Sequence, residues 1–190
     1  MNGPILSIIT VNFNNNLGLL KTLESVSSQS FSSYEHIIID AGSTDGSRET
    51  IIQYEKENPH LSFWSSEPDK GIYDGMNKGI DHAKGQYLYF LNSGDCLSQD
   101  ILAKIPFDGT EYLYGDTILF YKRKTKKRVY PDTLDLIYLS DNSLHHQSCF
   151  IHHTLFKDKR YDINYKIISD WAHCFPVSYT HLTLPTNREV

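Results

Sequence analysis

A chain of 190 residues, 39% hydrophobic and 22% charged, is long enough for one α/β domain with a real core and too short for two comfortable ones. A formal net charge of −5 excludes a general nucleic-acid binder and points to a small partner. Three cysteines, Cys96, Cys149 and Cys174, make no Cys-x-x-Cys pair and suit a reducing compartment, so a cytoplasmic protein is expected.

The chain opens on a β-rich run, Ile5 to Phe13, with no basic region before it and no cleavage site after it. No stretch approaches the ~20 apolar residues of a membrane span. Neither export nor membrane crossing is expected. A helix follows, with Leu17, Leu20, Leu23 and Ser27 on one stripe. The order repeats: Ile37-Ile38-Ile39 ends in Asp40 and a Gly-Ser-Thr-Asp-Gly turn, and a helix begins near Ser47. Residues 61–67 form a third strand, and 71–84 a third helix with Ile72, Met76, Ile80 and Ala83 at helical spacing. The fourth strand is Gln86 to Asn92.

Strands alternating with helices predict βαβ crossovers and a mainly parallel sheet with helices on both faces. Ligands of such sheets sit beyond the carboxyl ends of the strands. Four segments occupy those ends: Thr10-Val11-Asn12, Asp40-Ala41-Gly42-Ser43, Glu67-Pro68-Asp69 and Asn92-Ser93-Gly94-Asp95. Each alone reads as a turn or a helix cap. Three of the four segments carry acids, however, whose charges on one rim repel, and a cation or a ligand rich in donors would offset that repulsion. Asp95 follows a run apolar enough to be fully buried, and a hard divalent ion is one use for a carboxylate delivered there.

After residue 100 the pattern is less regular. Residues 112–130 read as two strands joined by a basic turn, 143–156 as a further strand, and 165–175 as a helix start. The run Lys122 to Arg128 reads as a solvated hairpin tip that could touch anionic lipid headgroups. Adjacent strand residues point to opposite faces, so His145-His146 and His152-His153 each supply at most one inward ligand, which argues against zinc. An inward His146 would instead donate to a phosphate oxygen. Residues 176–190 show no periodicity and read as a non-native or disordered tail. The expected organisation is one domain in two halves, 1–100 and 101–175, the second shaping the site of a second substrate.

The stretches "LSIITVNFNN", "YEHIIIDAGSTDGS", "EPDKGIYDGMNKGIDHAKGQYLYFLNSGD", "HHQSCF" and "ISDW", in that order, resemble the family 2 glycosyltransferases, in particular bacterial members that build capsule, O-antigen or exopolysaccharide chains. The resemblance covers roughly residues 5 to 175. It implies a GT-A, Rossmann-like fold, with a nucleotide-sugar-binding half at 1–100 and a smaller, partly antiparallel acceptor-side half of the same domain at 101–175. It also implies inverting transfer from a nucleoside-diphosphate sugar to a hydroxyl of a saccharide or lipid-linked saccharide, assisted by Mg²⁺ or Mn²⁺. Carried over by position, Thr10 and Asn12 would lie along the nucleotide, and Asp40 with Gly42 and Ser43 near base and ribose. Asp69, Asn77 and Lys78 would border the nucleotide and donor sugar. Asp95 matches the final acid of the metal-binding Asp-x-Asp motif, and Asp170, beside Trp171, the general base.

Two departures stand out: Ala41 where the family often has a second Asp, and Ser93 in place of the first acid of Asp-x-Asp. Asp95 is left as the principal metal ligand. Two rival readings are a sugar nucleotidyltransferase and a nucleotide-sugar-binding module or inactive truncated fragment. The first would place a Gly-rich, basic phosphate loop after the first strand, and "TVNFNNN" has neither glycine nor lysine. A cytoplasmic protein, peripheral at the inner membrane face if its acceptor is lipid-linked, is the expected setting.

Overall fold

A computed structural model describes residues 3–121, 124–134, 138, 139, 142 and 144–165. The first half alternates β1 (Leu6–Asn12), α1 (Asn16–Ser27), β2 (Tyr34–Asp40), α2 (Ser47–Glu57), β3 (Leu61–Ser66), α3 (Ile72–His82) and β4 (Tyr87–Phe90). The second half supplies β5 (Tyr112–Tyr114), β6 (Thr117–Tyr121), β7 (Lys124–Arg128) and β8 (Cys149–His152). Six strands form one sheet in the order β3-β2-β1-β4-β8-β5, and β6 and β7 form a separate ribbon. β1 pairs in parallel with both β2 and β4, and β2 with β3, whereas β8 is antiparallel to β4 and β5. The predicted mainly parallel sheet is present, and the antiparallel strands β8 and β5 lie at the edge beyond β4.

β1, β2 and β4 are buried along their whole lengths, as expected of strands covered on both faces. On one face, Ile9, Val11, Ile37 and Ile39 meet Tyr73, Met76 and Ile80 of α3. Helix and strand approach so closely that a Cβ on Gly79 would sit 2.4 Å from Ile9 Cγ2. On the other face, Leu19 and Leu23 of α1 and Ile51 and Tyr54 of α2 cover Ile38.

The expected stripe of α1 is corrected. Leu17 is 78% and Leu20 47% exposed, whereas Leu19, Leu23 and Val26 are buried with Gly18 and Thr22. Both sets have helical spacing, so the pattern alone admits two rotations of the helix. Long-range hydrogen bonds select one. Asn15, the N-cap, donates to Ser93 O at 2.9 Å, and Thr22 Oγ1 donates to Asp95 O at 2.7 Å while accepting from Gly94 N. Burying Leu19, Leu23 and Val26 at about 1.5–3 kcal/mol each then holds that rotation.

The basic run also differs from expectation. Lys124 to Arg128 are strand β7 itself, paired from Tyr121↔Lys124 to Thr117↔Arg128, so only two residues connect the strands. Successive lysines are tolerated there because a two-stranded ribbon leaves both faces wet.

Beneath β1 and β2 lies a polar network that the apolar pattern of these strands conceals. His36 is fully buried, with Nε2 2.9 Å from Thr10 Oγ1 and Nδ1 3.0 Å from Tyr54 OH. Burial pushes its imidazole down to about 3, so it is neutral in the folded state. An unfolded His takes up its proton near pH 6.5. The depressed folded value means that stability is complete above that pH and falls at about 1.4 kcal/mol per pH unit below it. Urea unfolding between pH 7 and 4 should show this slope, and His36→Gln should flatten it.

Candidate active site

Register brings the carboxyl ends of three strands level: Asn12 pairs with Asp40, and Asp40 with Ser66. After β3 the chain returns to lay β4 on the far side of β1, so the strand order reverses between β1 and β4. A crevice is expected at such a switch point. A cleft of about 610 Å³ lies there, lined by Val11, Asn12 and Phe13 after β1, Ala41 after β2, Pro68, Asp69, Gly71 and Ile72 at the entry to α3, and Asn92 and Ser93 after β4.

Asp40 anchors the floor. It is fully buried, and its carboxylate accepts from Asn12 Nδ2 (2.7 Å), Ser43 N (2.9 Å), Ser43 Oγ (2.5 Å) and Ser66 Oγ (2.6 Å). Burial pushes the carboxyl up, but the hydrogen bonds from Ser43, Ser66 and Asn12 outweigh it and leave Asp40 below the usual carboxylate range. Asn12, 3% exposed, spends its amide protons on this network and leaves Oδ1 buried with no partner. An acceptor this enclosed meets a ligand N–H or O–H only when the wall around Asn12 gives way.

The Asn-rich stretch after β1 fastens the two crossover loops together. Asn14, at φ 47°, accepts from Thr44 N through Oδ1, and its own N–H donates to Ser43 Oγ. Asn16 N donates to Asp45 Oδ2, and Asn16 Oδ1 accepts from Thr50 Oγ1. Gly42, at φ +74°, lets the β2 loop pass Pro68, whose nitrogen would lie 3.1 Å from an added Cβ.

The β4 loop is held just as specifically. Tyr89, buried in β4, donates from its hydroxyl to Gln147 O at 2.7 Å, and Gln147 Nε2 donates to Asp95 Oδ2 at 2.9 Å. Asn92 Nδ2 lies 3.0 Å from His146 Nε2, while Asn92 Oδ1 is buried without a partner. With Asn92 donating, the His146 ring carries its proton on Nδ1. Asp95 is half-buried, its backbone forms a β-bridge with Ser93, and its Oδ1 takes no part in the bond to Gln147.

Of the residues expected at the site, Asn12, Asp69 and Ser93 line the cleft. Asp40 and Ser43 stand behind the lining, bonded to Asn12, Gly42 packs against Pro68, and His146 bonds Asn92, with Asp95 two residues beyond Ser93 on the same loop. Thr10 points below the sheet to His36. Asn77 is committed to the main chain of Tyr161, donating to its O at 2.8 Å and accepting from its N at 3.0 Å. Lys78 lies 3.7 Å from Asp74 on α3. Asp170 and Trp171 lie outside the described residues. The apolar walls Val11, Phe13 and Ile72 are additions to the expected site. Phe13 is 64% exposed directly after a strand end, and that position was the available signal.

Among the described residues no three His, Cys, Asp or Glu side chains converge. The donor set nonetheless fits a magnesium-like ion. Such ions are commonly held by one or two carboxylates together with substrate phosphates, and the half-buried Asp95, whose carboxylate accepts from Gln147 through Oδ2 alone, offers one such carboxylate.

The family model described as "Glycosyl transferase family 2" matches residues 7–105, which span β1 to the segment beyond the Asp95 loop. The chain belongs to this family. An uncharacterised glycosyltransferase of Mycobacterium tuberculosis is 43% identical over 103 residues, covering 53% of this chain and 38% of that protein. A PGL/p-HBAD biosynthesis glycosyltransferase of Mycobacterium bovis is 28% identical over 205 residues, covering 100% of this chain and 78% of that protein. The putative teichuronic acid biosynthesis glycosyltransferase TuaG of Bacillus subtilis is 37% identical over 101 residues, covering 53% of this chain and 40% of its own. The chain thus spans well under half the length of two of these family members.

Among solved structures, S. aureus TarS 1-349 in complex with UDP superposes with a TM-score of 0.75 at 16% identity, covering 97% of this chain and 57% of that one. The mannosyltransferase PcManGT from Pyrobaculum calidifontis, in complex with GDP-Man and Mn²⁺, gives 0.70 at 12% identity, covering 98% and 55%. At these identities the likeness is one of fold, and the fold is GT-A.

Proposed function

We propose that this chain carries the donor site of an inverting glycosyltransferase, which moves a sugar from a nucleoside-diphosphate sugar to a hydroxyl of a saccharide or lipid-linked saccharide in surface polysaccharide or glycolipid synthesis. The observation that carries the reading is the cleft at the β1/β4 switch point, with its buried Asn12–Asp40–Ser43–Ser66 network and the unmatched Asn12 Oδ1. The UDP of the TarS complex and the GDP-Man and Mn²⁺ of PcManGT support the ligand class.

In this reading Val11, Phe13 and Ile72 cover the flat faces of the nucleoside, and Asn12 Oδ1 accepts a hydrogen bond from it. Asp69, whose Oδ1 already accepts from Gly71 N, borders the ribose or sugar. Asp95, with Ser93 and the diphosphate oxygens, would hold Mg²⁺ or Mn²⁺. Bound there, the ion supplies positive charge against the leaving diphosphate. Gln147 and Tyr89 keep the Asp95 carboxylate in place without an ordering cost at the moment of reaction. Asp170 takes the acceptor's proton as its oxygen attacks the anomeric carbon.

One displacement inverts the anomeric carbon. Proton NMR of the product formed from an α-linked donor, recorded before mutarotation, should show the β-anomer. The α-anomer would contradict the inverting reading, and binding without any transfer or hydrolysis would leave only a donor-binding module.

A further inference from the structure

The β6–β7 ribbon has no part in the donor cleft. Gly115, between β5 and β6, donates to Ser148 O at 3.0 Å, and β5 runs parallel to β4, so the ribbon springs from the same rim of the sheet as the Asp95 loop. Its root is fixed: Asp116 accepts from Tyr130 N, Lys127 pairs with Asp116 at 2.8 Å, and Arg128 lies 5.5 Å over the Tyr130 ring. Five-residue strands project by roughly 15 Å. At the distal end Phe120 is 82% and Tyr121 60% exposed, on opposite faces, with Ile118 and Val129 exposed nearer the root. Opposite them β7 sets four cations in five residues, and among the described residues no acid lies within ion-pair distance of Lys124 or Lys126.

Lysines guarding a strand edge against aggregation account for the charge. They do not account for an exposed aromatic pair at the last described residues of β6, which raises the same hazard. Aromatics with a polar or quadrupolar edge, ringed by long cationic side chains that can lift their charge to water, are the composition of a membrane-interface anchor. The charge is local, since the chain as a whole is acidic at −5 and an anionic surface would attract this end of it alone. Phe120 and Tyr121 diverge to both faces and form no groove, which suits a fluid bilayer better than the shaped surface of an acidic protein.

We propose that the distal end of the β6–β7 ribbon docks on an anionic lipid bilayer, with Phe120 and Tyr121 at headgroup depth and Lys124 and Lys126 against the phosphates. Docking there sets the rim that bears the cleft toward the membrane.

The test is sedimentation of the whole chain with phosphatidylcholine vesicles, with and without about one-third phosphatidylglycerol. Binding to the anionic vesicles should exceed binding to the neutral ones at least tenfold and should weaken with salt. The Lys124→Gln/Lys126→Gln variant should bind about thirtyfold more weakly, from roughly fivefold per lysine near the surface. Phe120→Ser should bind several-fold more weakly at any salt concentration. Unchanged circular dichroism and nucleotide binding would show that each variant is folded. Equal binding to both vesicles, variants that sediment like the parent, or capture by heparin or DNA with none by vesicles would each overturn the proposal. Vesicle binding without nucleotide binding would keep the docking surface and remove the transferase reading, so the two fail separately.

Discussion

Asp95→Ala should lower donor turnover by about 10²–10³-fold, the scale of losing one preorganised electrostatic contact to a developing charge. It should also raise the Mn²⁺ concentration needed for half-maximal rate. Asp95 is the carboxylate of the Asn92-Ser93-Gly94-Asp95 turn after β4, and that turn is heavily braced: Thr22 takes its backbone, Asn15 holds Ser93, and Gln147 holds the Asp95 carboxylate. Such bracing fixes a charge in position, which is of use only if something meets the charge. Asp95→Asn keeps an acceptor for Gln147 and removes the charge, so it should retain the stability of the parent and share the loss of turnover. If Asp95→Asn turns over donor at the parental rate with the same Mn²⁺ dependence, the carboxylate is a structural turn residue.

The second large effect is on stability. Asp40→Ala strands the donors of Asn12, Ser43 and Ser66 in a buried site, and leaving such groups unpaired beside a lost charge costs about 3–5 kcal/mol. Urea denaturation should show that loss as a lower midpoint at unchanged slope. The pH dependence follows from the depressed Asp40 carboxyl. A folded value below the unfolded one means that stability is complete above pH ~4 and is lost as pH falls through the folded value. Asp40→Ala should therefore be destabilised at neutral pH and less sensitive to acid over that range. A variant as stable as the parent would mean that water replaces the carboxylate without penalty.

Much of residues 1–100 was legible because the strands there are continuous apolar runs and the helices have a clear period, so four strands and three helices fall in the expected order. The rule for parallel sheets then located the cleft without reference to any side chain. Period could not choose between the two faces of α1, since Leu17-Leu20 and Leu19-Leu23 are equally helical in spacing; the choice rests on Asn15 and Thr22 bonding a loop more than 70 residues away. Strand position likewise could not say which way Thr10 points. It lies two residues before Asn12, yet its hydroxyl serves a buried histidine. Asn77 reads as a polar helix residue near the ligand, but its amide matches both backbone groups of Tyr161, a contact that sequence spacing does not encode. The basic run misled in the other direction. Lysines are poor strand formers in general, but a ribbon open to water on both faces accepts them.

Calorimetric titration of UDP, GDP and dTDP into the protein, with and without Mn²⁺, tests the central claim most directly. The account predicts that one nucleotide binds, more tightly with Mn²⁺, and that the others bind weakly. No heat and no displacement by any of the three, from a protein whose circular dichroism shows it folded, would contradict a donor site in the cleft between β1 and β4.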